Sequence, residues 1–474
     1  MMNNARLWLV VIPALPVLVI GVSFVRLELE RLRRLAVGSA IGMLAASVVV
    51  AVSPRLWTFS IDNVVRINAL SSVLLPFTAA LWLLTVAVTP RAALDRRGLR
   101  RTAVATLITL GSFLTENAIV LLLLTAASVW TFVSALDDPA HRNQRRIISA
   151  YLGVSTLIFG IGVALLMGPA AGHTRLQAAG MWLIVIAALV RKGIVPFHAW
   201  VPEVFDHGRL GPAILFSAPQ IGAYITVVLI VPRASPEMLR VIALLALGTA
   251  VYGAALSLVQ ASARRACGYL FMSQSALVMA GLDCTSSGAL AGGLLAWLSA
   301  GLGFAGLARC VLVLEARRGR LDLTTYHGGY ERLPLLAISF LCMGLACTGF
   351  PGTLGFVAQE LLVNGAIQAF PVMGFAVVVT SALTGVAVLR MYFSLFCGRP
   401  EVRSHPAVTL GLTKREAITF VAVVITLVGF GIAPRPLVDS RFEASDQILS
   451  LRQKHAQVST GSGFAGRDLA KATR

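Results

Sequence analysis

Charged side chains are scarce in this 474-residue chain. Asp, Glu, Lys and Arg make up only 13% of the residues, and just 21 of them are acidic. In soluble globular domains about a quarter of all residues are charged, because the protein surface faces water. An ordinary soluble protein is therefore excluded, and the mean hydropathy of +0.81 indicates a membrane protein.

Cysteine is also sparse, with six residues and no C-x-x-C pair. A disulfide framework or a zinc site is not expected, and buried thiols pack as small apolar groups. The sequence has no Walker loop, no dinucleotide-binding G-x-G-x-x-G between a strand and a helix, and no haem or iron–sulfur pattern. We expect no cofactor, no metal and no catalytic residue, so any redox or hydration chemistry would belong to partner subunits.

Apolar runs of transmembrane length fill almost the whole chain. A helix needs roughly 20 apolar residues to cross a bilayer, and a helix satisfies its own backbone hydrogen bonds in lipid. We predict an all-α polytopic membrane protein of about 14 transmembrane helices. The predicted segments are 7–25, 36–53, 68–89, 101–115, 117–136, 146–167, 177–198, 208–231, 238–258, 265–282, 288–315, 334–366, 369–397 and 416–434.

Two of these segments, the seventh and the twelfth, are interrupted by proline and glycine. The interruptions lie near Pro196 and Pro351, about 155 residues apart. Corresponding breaks in two halves indicate two inverted five-helix repeats. The predicted organisation is then helices 1–3 (1–100), a first repeat (101–231), a second repeat (238–397), a loop with helix 14 (398–434) and a polar C-terminal tail (435–474).

The tail has two possible structures. Residues 440–457 form a short amphipathic surface helix, or they stay disordered. We expect no room after the fourteenth segment for a long lateral helix.

The chain has 40 basic and 21 acidic residues, a net charge of +19, and its basic residues are distributed unequally between the loops on the two sides of the membrane. With the N-terminus outside, 23 of them fall in cytoplasmic loops and six in outer loops before the tail. Such an asymmetry is the usual orientation signal of inner-membrane proteins. We predict a multi-pass protein of the bacterial inner membrane with both termini outside, and we do not expect nucleic acid as a partner.

The stretch 181–203, MWLIVIAALVRKGIVPFHAWVPE, combines a mid-membrane lysine, Lys192, with the helix break at Pro196. A bilayer disfavours both features, so their coincidence points to ion translocation rather than anchoring. Lys192 could instead be an interfacial lysine beside Arg191 that snorkels to the membrane surface.

The run RKGIVPFHAWVPE resembles the G-K-x-x-x-x-P-x-H-x-W-L-P run of the large antiporter-like subunits of complex I, the Mrp-type cation/proton antiporters and related hydrogenase and carbon-uptake membrane subunits. Three further blocks resemble that family in the right order, at 59–72, 263–282 and 328–362. The resemblance covers roughly 55–435. It implies a fourteen-helix subunit whose seventh and twelfth helices are broken.

The resemblance also implies a lysine on the seventh helix, matched by Lys192, that works with a glutamate on the fifth. Here Ala126 or Ala127 stands where that glutamate is expected. Ser217, Gly301 and Gln359 replace, in turn, a histidine of the eighth helix, a lysine near the tenth and eleventh, and a lysine of the twelfth. Most of the titratable axis implied by the family is therefore absent.

Lys192, His198, Glu360 and Arg390 are the candidate ion-translocation residues. Each of the last three has a simpler alternative: His198 hydrogen-bonds exposed carbonyls, Glu360 satisfies the backbone freed at its break, and Arg390 contacts lipid or a partner. Other charges are expected to be structural, with Arg264 and Arg265 anchoring a loop and Asp62 pairing with Arg66 on an outer hairpin. For Arg309 we expect the same as for Arg390, a charge near a helix end that contacts lipid or a partner in the simpler alternative.

The leading functional prediction is a proton- or cation-translocating membrane subunit of a complex I-like or Mrp-type assembly. Its partners would be the other membrane and cytoplasmic subunits and the lipid bilayer. One alternative is the membrane subunit of a proton-gradient-driven inorganic-carbon uptake complex. Another is a scaffold subunit that has lost transport.

Overall fold

The computed structural model describes residues 2–54, 57, 60–61, 64–136, 142–167, 174–367, 371–398 and 411–472. The described chain is almost entirely helical, with one two-stranded hairpin formed by β1 (Ser60–Ile61) and β2 (Val65–Arg66). The α-helices are α1 Met2–Val22, α2 Leu29–Val52, α3 Ala69–Val88, α4 Arg96–Phe113, α5 Ala118–Val133, α6 Arg142–Met167, α7 Thr174–Lys192, α8 Trp200–His207, α9 Leu210–Ser217, α10 Ile221–Ile225, α11 Pro236–Leu258, α12 Ala263–Leu282, α13 Ser287–Arg318, α14 Pro334–Thr348, α15 Leu354–Ala366, α16 Pro371–Phe396, α17 Lys414–Ile432 and α18 Arg435–Ala472.

This architecture confirms the predicted all-α polytopic class. Each predicted segment overlaps one helix or two consecutive helices. In the described residues, eight helical stretches are both long and apolar enough to cross a membrane, and three shorter helices are apolar as well. The total of fourteen spans and the inverted repeats stay predictions.

The helix that holds Lys192 is interrupted directly after it. α7 ends at Lys192, Gly193 adopts a φ of 69°, and α8 starts only at Trp200. Side chains satisfy backbone groups freed by the break: the Trp200 indole donates to the Val190 carbonyl at 2.8 Å, and the Thr249 hydroxyl accepts from the Val195 amide at 3.0 Å. Irregular backbone at membrane depth is tolerated when protein groups satisfy it in this way.

A second interruption separates α14 from α15, around Pro351. Gly349 and Gly352 take φ values of 77° and 83°, a conformation that glycine adopts without steric cost. The Thr353 hydroxyl donates to the Phe350 carbonyl at 2.6 Å.

The predicted eighth segment contains a third interruption that we did not expect. α9 ends at Ser217, Gln220 adopts a left-handed φ of 54°, and α10 continues into a π-helical turn, Thr226–Ile230. Pro219 precedes the turn and cannot donate a backbone hydrogen bond. The break therefore turns the Gln220 side chain toward α7.

The long helix α13 forms the centre of the second half of the chain. It is buried along nearly its whole length, between α12 and α15. Small residues permit this approach, because a Cβ atom at Gly292 would meet the backbone of Leu362, and one at Gly293 would meet that of Gly281. Such close contact between small residues is a principal means of packing helices in membranes.

The C-terminal segment corrects our expectation of a tail without a long helix. α18 runs for 38 residues and packs against α3 and α13. The buried Arg441 donates to the carbonyls of Ala69 and Leu70, and Asp446 accepts from the Ser287 hydroxyl at 2.6 Å. These partners are the first residues of α3 and α13, so α18 crosses one face of the helix bundle. Its length was missed because alternating polar residues in the tail resembled a disordered segment.

The opposite face carries most of the basic loop residues, and we call it the arginine-rich face. Several of its arginines donate hydrogen bonds to carbonyls at the ends of helices. Arg33 donates to the carbonyls of Ala87 and Thr89 at the end of α3. In the same way Arg101 donates to Ser134 after α5, at 2.9 Å. The carbonyl end of a helix is electrically negative and its last carbonyls lack partners, so arginine stabilises it. On this face the basic excess therefore caps helix ends.

Candidate functional site

Lys192 is buried at the end of α7, with 4% of its surface exposed. Its ammonium group donates a hydrogen bond to Gln220 Oε1, and the Ser275 hydroxyl of α12 lies 3.4 Å from the same oxygen. The lysine therefore faces the bundle interior, not the membrane surface. A buried ammonium needs such acceptors, because removing it from water is costly.

Gln220 is held by its neighbours rather than by a regular helix. The Trp297 indole of α13 donates to the Pro219 carbonyl at 3.0 Å, which fixes the turn. Sequence reasoning missed this residue, although the proline inside an apolar segment was a signal for a break. Gln220 thus supplies a neutral acceptor for Lys192, whereas the glutamate that the family resemblance implies would lie on α5, at Ala126 or Ala127.

Arg191, the residue before Lys192, is also buried and points toward α5. One guanidinium nitrogen donates to the Ser128 hydroxyl at 2.8 Å, and the guanidinium carbon lies 4.1 Å from the centre of the Phe216 ring. Ser128 follows Ala126 and Ala127, the residues that stand at the glutamate position. In this chain α5 therefore presents a hydroxyl group to a cation.

Two small cavities adjoin this pair of cations. One, of about 10 Å³, is lined by Arg191, Lys192, Phe216, Ser217, Gln220 and Ser275, among others. The other, of about 30 Å³, lies between α4, α5 and α9, and its polar lining consists of Arg101, Thr102, Thr109, Ser128 and Thr131. Volumes of this size accommodate one or a few water molecules. Ser128 and Arg191 connect the two cavities, so a polar path leads from Lys192 toward the arginine-rich face.

Asp283 is a buried acid that sequence reasoning overlooked. It follows α12 directly, is 4% exposed, and neither of its carboxylate oxygens has a hydrogen-bond partner among the described residues. It follows the same helix, α12, whose Ser275 hydroxyl lies 3.4 Å from the oxygen that accepts from Lys192. An acid directly after an apolar segment was the available signal, but its position near the membrane boundary resembled an ordinary loop residue.

The second break adjoins a polar but uncharged site. Gln359 accepts from the Ser381 hydroxyl at 3.0 Å, and Gln274 lies 3.4 Å from the Thr384 hydroxyl. A cavity of about 20 Å³ there is lined by Gln274, Ser299, Cys347 and Gln359, among others, and no Asp, Glu, Lys, Arg or His lines it. Gly301 lies against Phe77 and the Ala218 carbonyl.

The other candidates lie away from Lys192. His198 packs edge-on against Tyr252 at a ring distance of 5.3 Å, and Glu360 is exposed on α15 and accepts from Asn364 at 2.9 Å. Arg390 donates to the carbonyls of Leu258 and Gln260, at the end of α11. Pro196 and Pro351 both lie in the breaks and are exposed.

The charged residues that the sequence analysis expected to be structural have the following contacts. Arg264 forms a buried ion pair with Glu315 at 2.5 Å. Asp62 lies outside the described residues, and Arg66 pairs with Glu116 at 3.1 Å. Arg309 is fully buried, with its guanidinium against Gly211.

Comparison with protein families gives one matching model, described as NADH:quinone oxidoreductase/Mrp antiporter, TM, over residues 147–384. Among curated relatives, NADH-quinone oxidoreductase subunit M of Pseudomonas aeruginosa is 28% identical over 279 residues, which are 56% of this chain and 53% of the relative. F(420)H(2) dehydrogenase subunit M of Methanosarcina mazei is 24% identical over 283 residues, 57% of this chain and 56% of the relative. The chain thus matches about half the length of these relatives.

Solved structures share the fold over nearly the whole chain. A chain of the Mrp complex from Dietzia sp. superposes with a TM-score of 0.84 at 18% identity, covering 95% of this chain and 98% of that one. A chain of respiratory complex I from Thermus thermophilus with bound NADH gives a TM-score of 0.82 at 18% identity, with coverages of 94% and 99%.

The contact between Lys192 and Gln220 leads to a stability prediction. Replacing Gln220→Met leaves the buried ammonium without its acceptor, so we expect a loss of about 2 kcal/mol, the usual worth of a hydrogen bond to a charged group. Gln220→Glu keeps the length and the backbone and supplies a carboxylate, so it should melt at or above the wild-type temperature. Thermal unfolding of the purified protein in one detergent measures both, and a Gln220→Met variant as stable as wild type would contradict the assigned contact.

Proposed function

Because the chain belongs to the NADH:quinone oxidoreductase/Mrp antiporter transmembrane family, we propose that it is a proton- or cation-translocating membrane subunit of a multi-subunit complex. The observation that carries the proposal is the buried Lys192 at a helix break, hydrogen-bonded to Gln220 instead of an acid. A buried amine exchanges its proton readily when nearby charges change. Lys192 is then the residue that takes up and releases the transported proton.

The path to Lys192 follows from the neighbouring polar groups. On one side, the hydroxyls of Thr109, Ser128 and Thr131 line the cavity that approaches Arg191. On the other side, the buried carboxylate of Asp283 lies directly after α12, the helix that brings Ser275 beside the Lys192–Gln220 hydrogen bond. Hydroxyl groups both donate and accept hydrogen bonds, so with water they can relay a proton.

Asp283 has the role of counter-charge in this proposal. The α5 residues Ala126 and Ala127 cannot carry charge, yet an uncompensated buried ammonium is strongly disfavoured. Asp283 is the acid that balances Lys192, and a change in the separation of the two would change the proton affinity of the lysine. The roles of His198, Glu360 and Arg390 in translocation remain predictions.

The proposed partners are the other membrane and cytoplasmic subunits of a respiratory or Mrp-type complex. The similar proteins are named as subunits of NADH-quinone oxidoreductase and F(420)H(2) dehydrogenase, and the similar structures are an Mrp complex and respiratory complex I. Electron transfer would then take place on partner subunits. The inorganic-carbon uptake complex and the transport-deficient scaffold remain the alternative predictions.

The protein is membrane-integral, and we propose that it resides in a bacterial inner membrane with its arginine-rich face in the cytoplasm. Arginine-rich loops are retained on the cytoplasmic side during insertion. The same face carries the arginine caps of α3, α5 and α11. α18 and both termini would then lie outside.

The translocation proposal predicts a large effect of Lys192→Ala. In the complex purified with its partners and reconstituted in vesicles, proton flux should fall on the order of 100-fold, a usual worth of a positioned proton-transfer group. Lys414→Ala removes another lysine, exposed at the start of α17, and serves as the matched control with flux retained. Unchanged flux in Lys192→Ala, with the complex intact, would support the scaffold alternative and reject the proposal.

The orientation proposal predicts the accessibility of single cysteines. In a variant whose six native cysteines are replaced, Gln447→Cys, at an exposed position of α18, should react with a membrane-impermeant maleimide in intact spheroplasts. Arg97→Cys, at the start of α4, should react only after the membrane is permeabilised. The reverse pattern of labelling would show that the arginine-rich face is outside.

A further inference from the structure

The cavity beside Lys192 is rich in hydrogen-bond donors. Three buried donor atoms of residues that line it, Arg191 Nη1, Ser217 Oγ and Gln220 Nε2, have no hydrogen-bond partner among the described residues. The amide nitrogen of Gln220 is the donor because its oxygen already accepts from Lys192. Buried polar groups are almost always hydrogen-bonded, so three unpaired donors around one cavity indicate that its occupant accepts hydrogen bonds.

The positive charge around the cavity indicates that its occupant is negatively charged. Arg191 and Lys192 are adjacent and both buried, and the buried acid Asp283 follows α12. Arg191 has the Ser128 hydroxyl and the Phe216 ring, which are neutral. Arg309, fully buried against Gly211 on the same helix as Ser217, adds a further positive charge. Positive charge is therefore in excess in this part of the interior.

We propose that the cavity binds one monatomic inorganic anion, chloride, through Arg191, Ser217 and Gln220. The anion takes the place of the carboxylate that α5 lacks, while Asp283 balances Lys192. Guanidinium, hydroxyl and amide N–H groups are the donors that anions require, and a charged acceptor strengthens each bond. The cavity of about 10 Å³ restricts the occupant to something near the size of a water molecule, which favours chloride.

Binding can be measured without any transport. The chain is purified with its complex partners, placed in lipid nanodiscs in gluconate buffer, and titrated with radiolabelled chloride or, separately, bicarbonate at constant ionic strength. We expect saturable binding of one chloride per chain and no saturable binding of bicarbonate, which is too large for the cavity. Bicarbonate that binds as well as chloride would contradict the assignment to this cavity. An absence of saturable binding of both would show that water alone occupies the cavity, and would overturn the inference.

Variants test the assigned donors. Arg191→Gln should abolish binding, and Ser217→Ala should weaken it roughly 30-fold, the usual worth of one hydrogen bond to a charged group. Arg233→Gln, an exposed arginine in the loop before α11, is the control and should bind as wild type. Binding that persists unchanged in Arg191→Gln and in Ser217→Ala would contradict the proposed site.

One further variant guards against a failure to fold. Ser128→Asp places a carboxylate on α5, where Ser128 already contacts Arg191 at 2.8 Å. It should remove anion binding while keeping or raising the melting temperature, because the attached acid replaces the free anion. The inference does not depend on translocation: if Lys192→Ala leaves proton flux unchanged but anion binding follows these variants, the proposed function fails and the anion site stands.

Discussion

Two adjacent cations, Arg191 and Lys192, lie in the apolar interior of the bundle, and the rest of the site depends on how their charge is balanced. Each sits at the end of α7, where the helix break frees carbonyls and opens small polar cavities. The break at Gln220 supplies the acceptor for one cation, and α5 supplies a hydroxyl for the other. Removing a charge from water without compensation is prohibitive, so these contacts and Asp283 determine whether the fold can keep the pair at all.

Irregular backbone allows the buried Lys192 to reach its acceptor. A continuous helix could not direct a side chain such as Gln220 toward α7, because its own hydrogen bonds would hold the backbone in register. The left-handed residue after Pro219 and the interruption after Lys192 bring donor and acceptor together from two helices. By contrast, the cavity at the second break is lined by amides, a hydroxyl and a thiol, without Asp, Glu, Lys, Arg or His. The two halves of the chain therefore share interrupted helices but differ in charge at the break, because Arg191 and Lys192 end α7 whereas no such cation lines the cavity at the second break.

Local patterns in the sequence were sufficient for the helical class, the position of most helices and the breaks near Pro196 and Pro351, because hydropathy and proline act over short distances. The family resemblance identified Lys192 and the loss of the α5 acid. Gln220, Asp283 and the contact of Arg191 with Ser128 were not predictable, since each depends on which helices become neighbours in space. The 38-residue α18 was missed for a similar reason: its stability comes from Arg441 and Asp446 docking on distant helix ends. The arginine asymmetry was read as a topology signal, and the structure adds that these residues also cap helices.

We propose that Asp283 balances Lys192, since both are buried and Asp283 follows the helix whose Ser275 adjoins the lysine's hydrogen bond. A double-mutant cycle tests this pairing most directly. Lys192→Met, Asp283→Asn and the double variant would be compared with wild type by thermal unfolding in the same detergent. Each single change leaves one buried charge alone, whereas the double variant removes both. The account predicts that the double variant is more stable than the two single effects imply, by about 1 kcal/mol or more. Effects that add to within about 0.5 kcal/mol would contradict it.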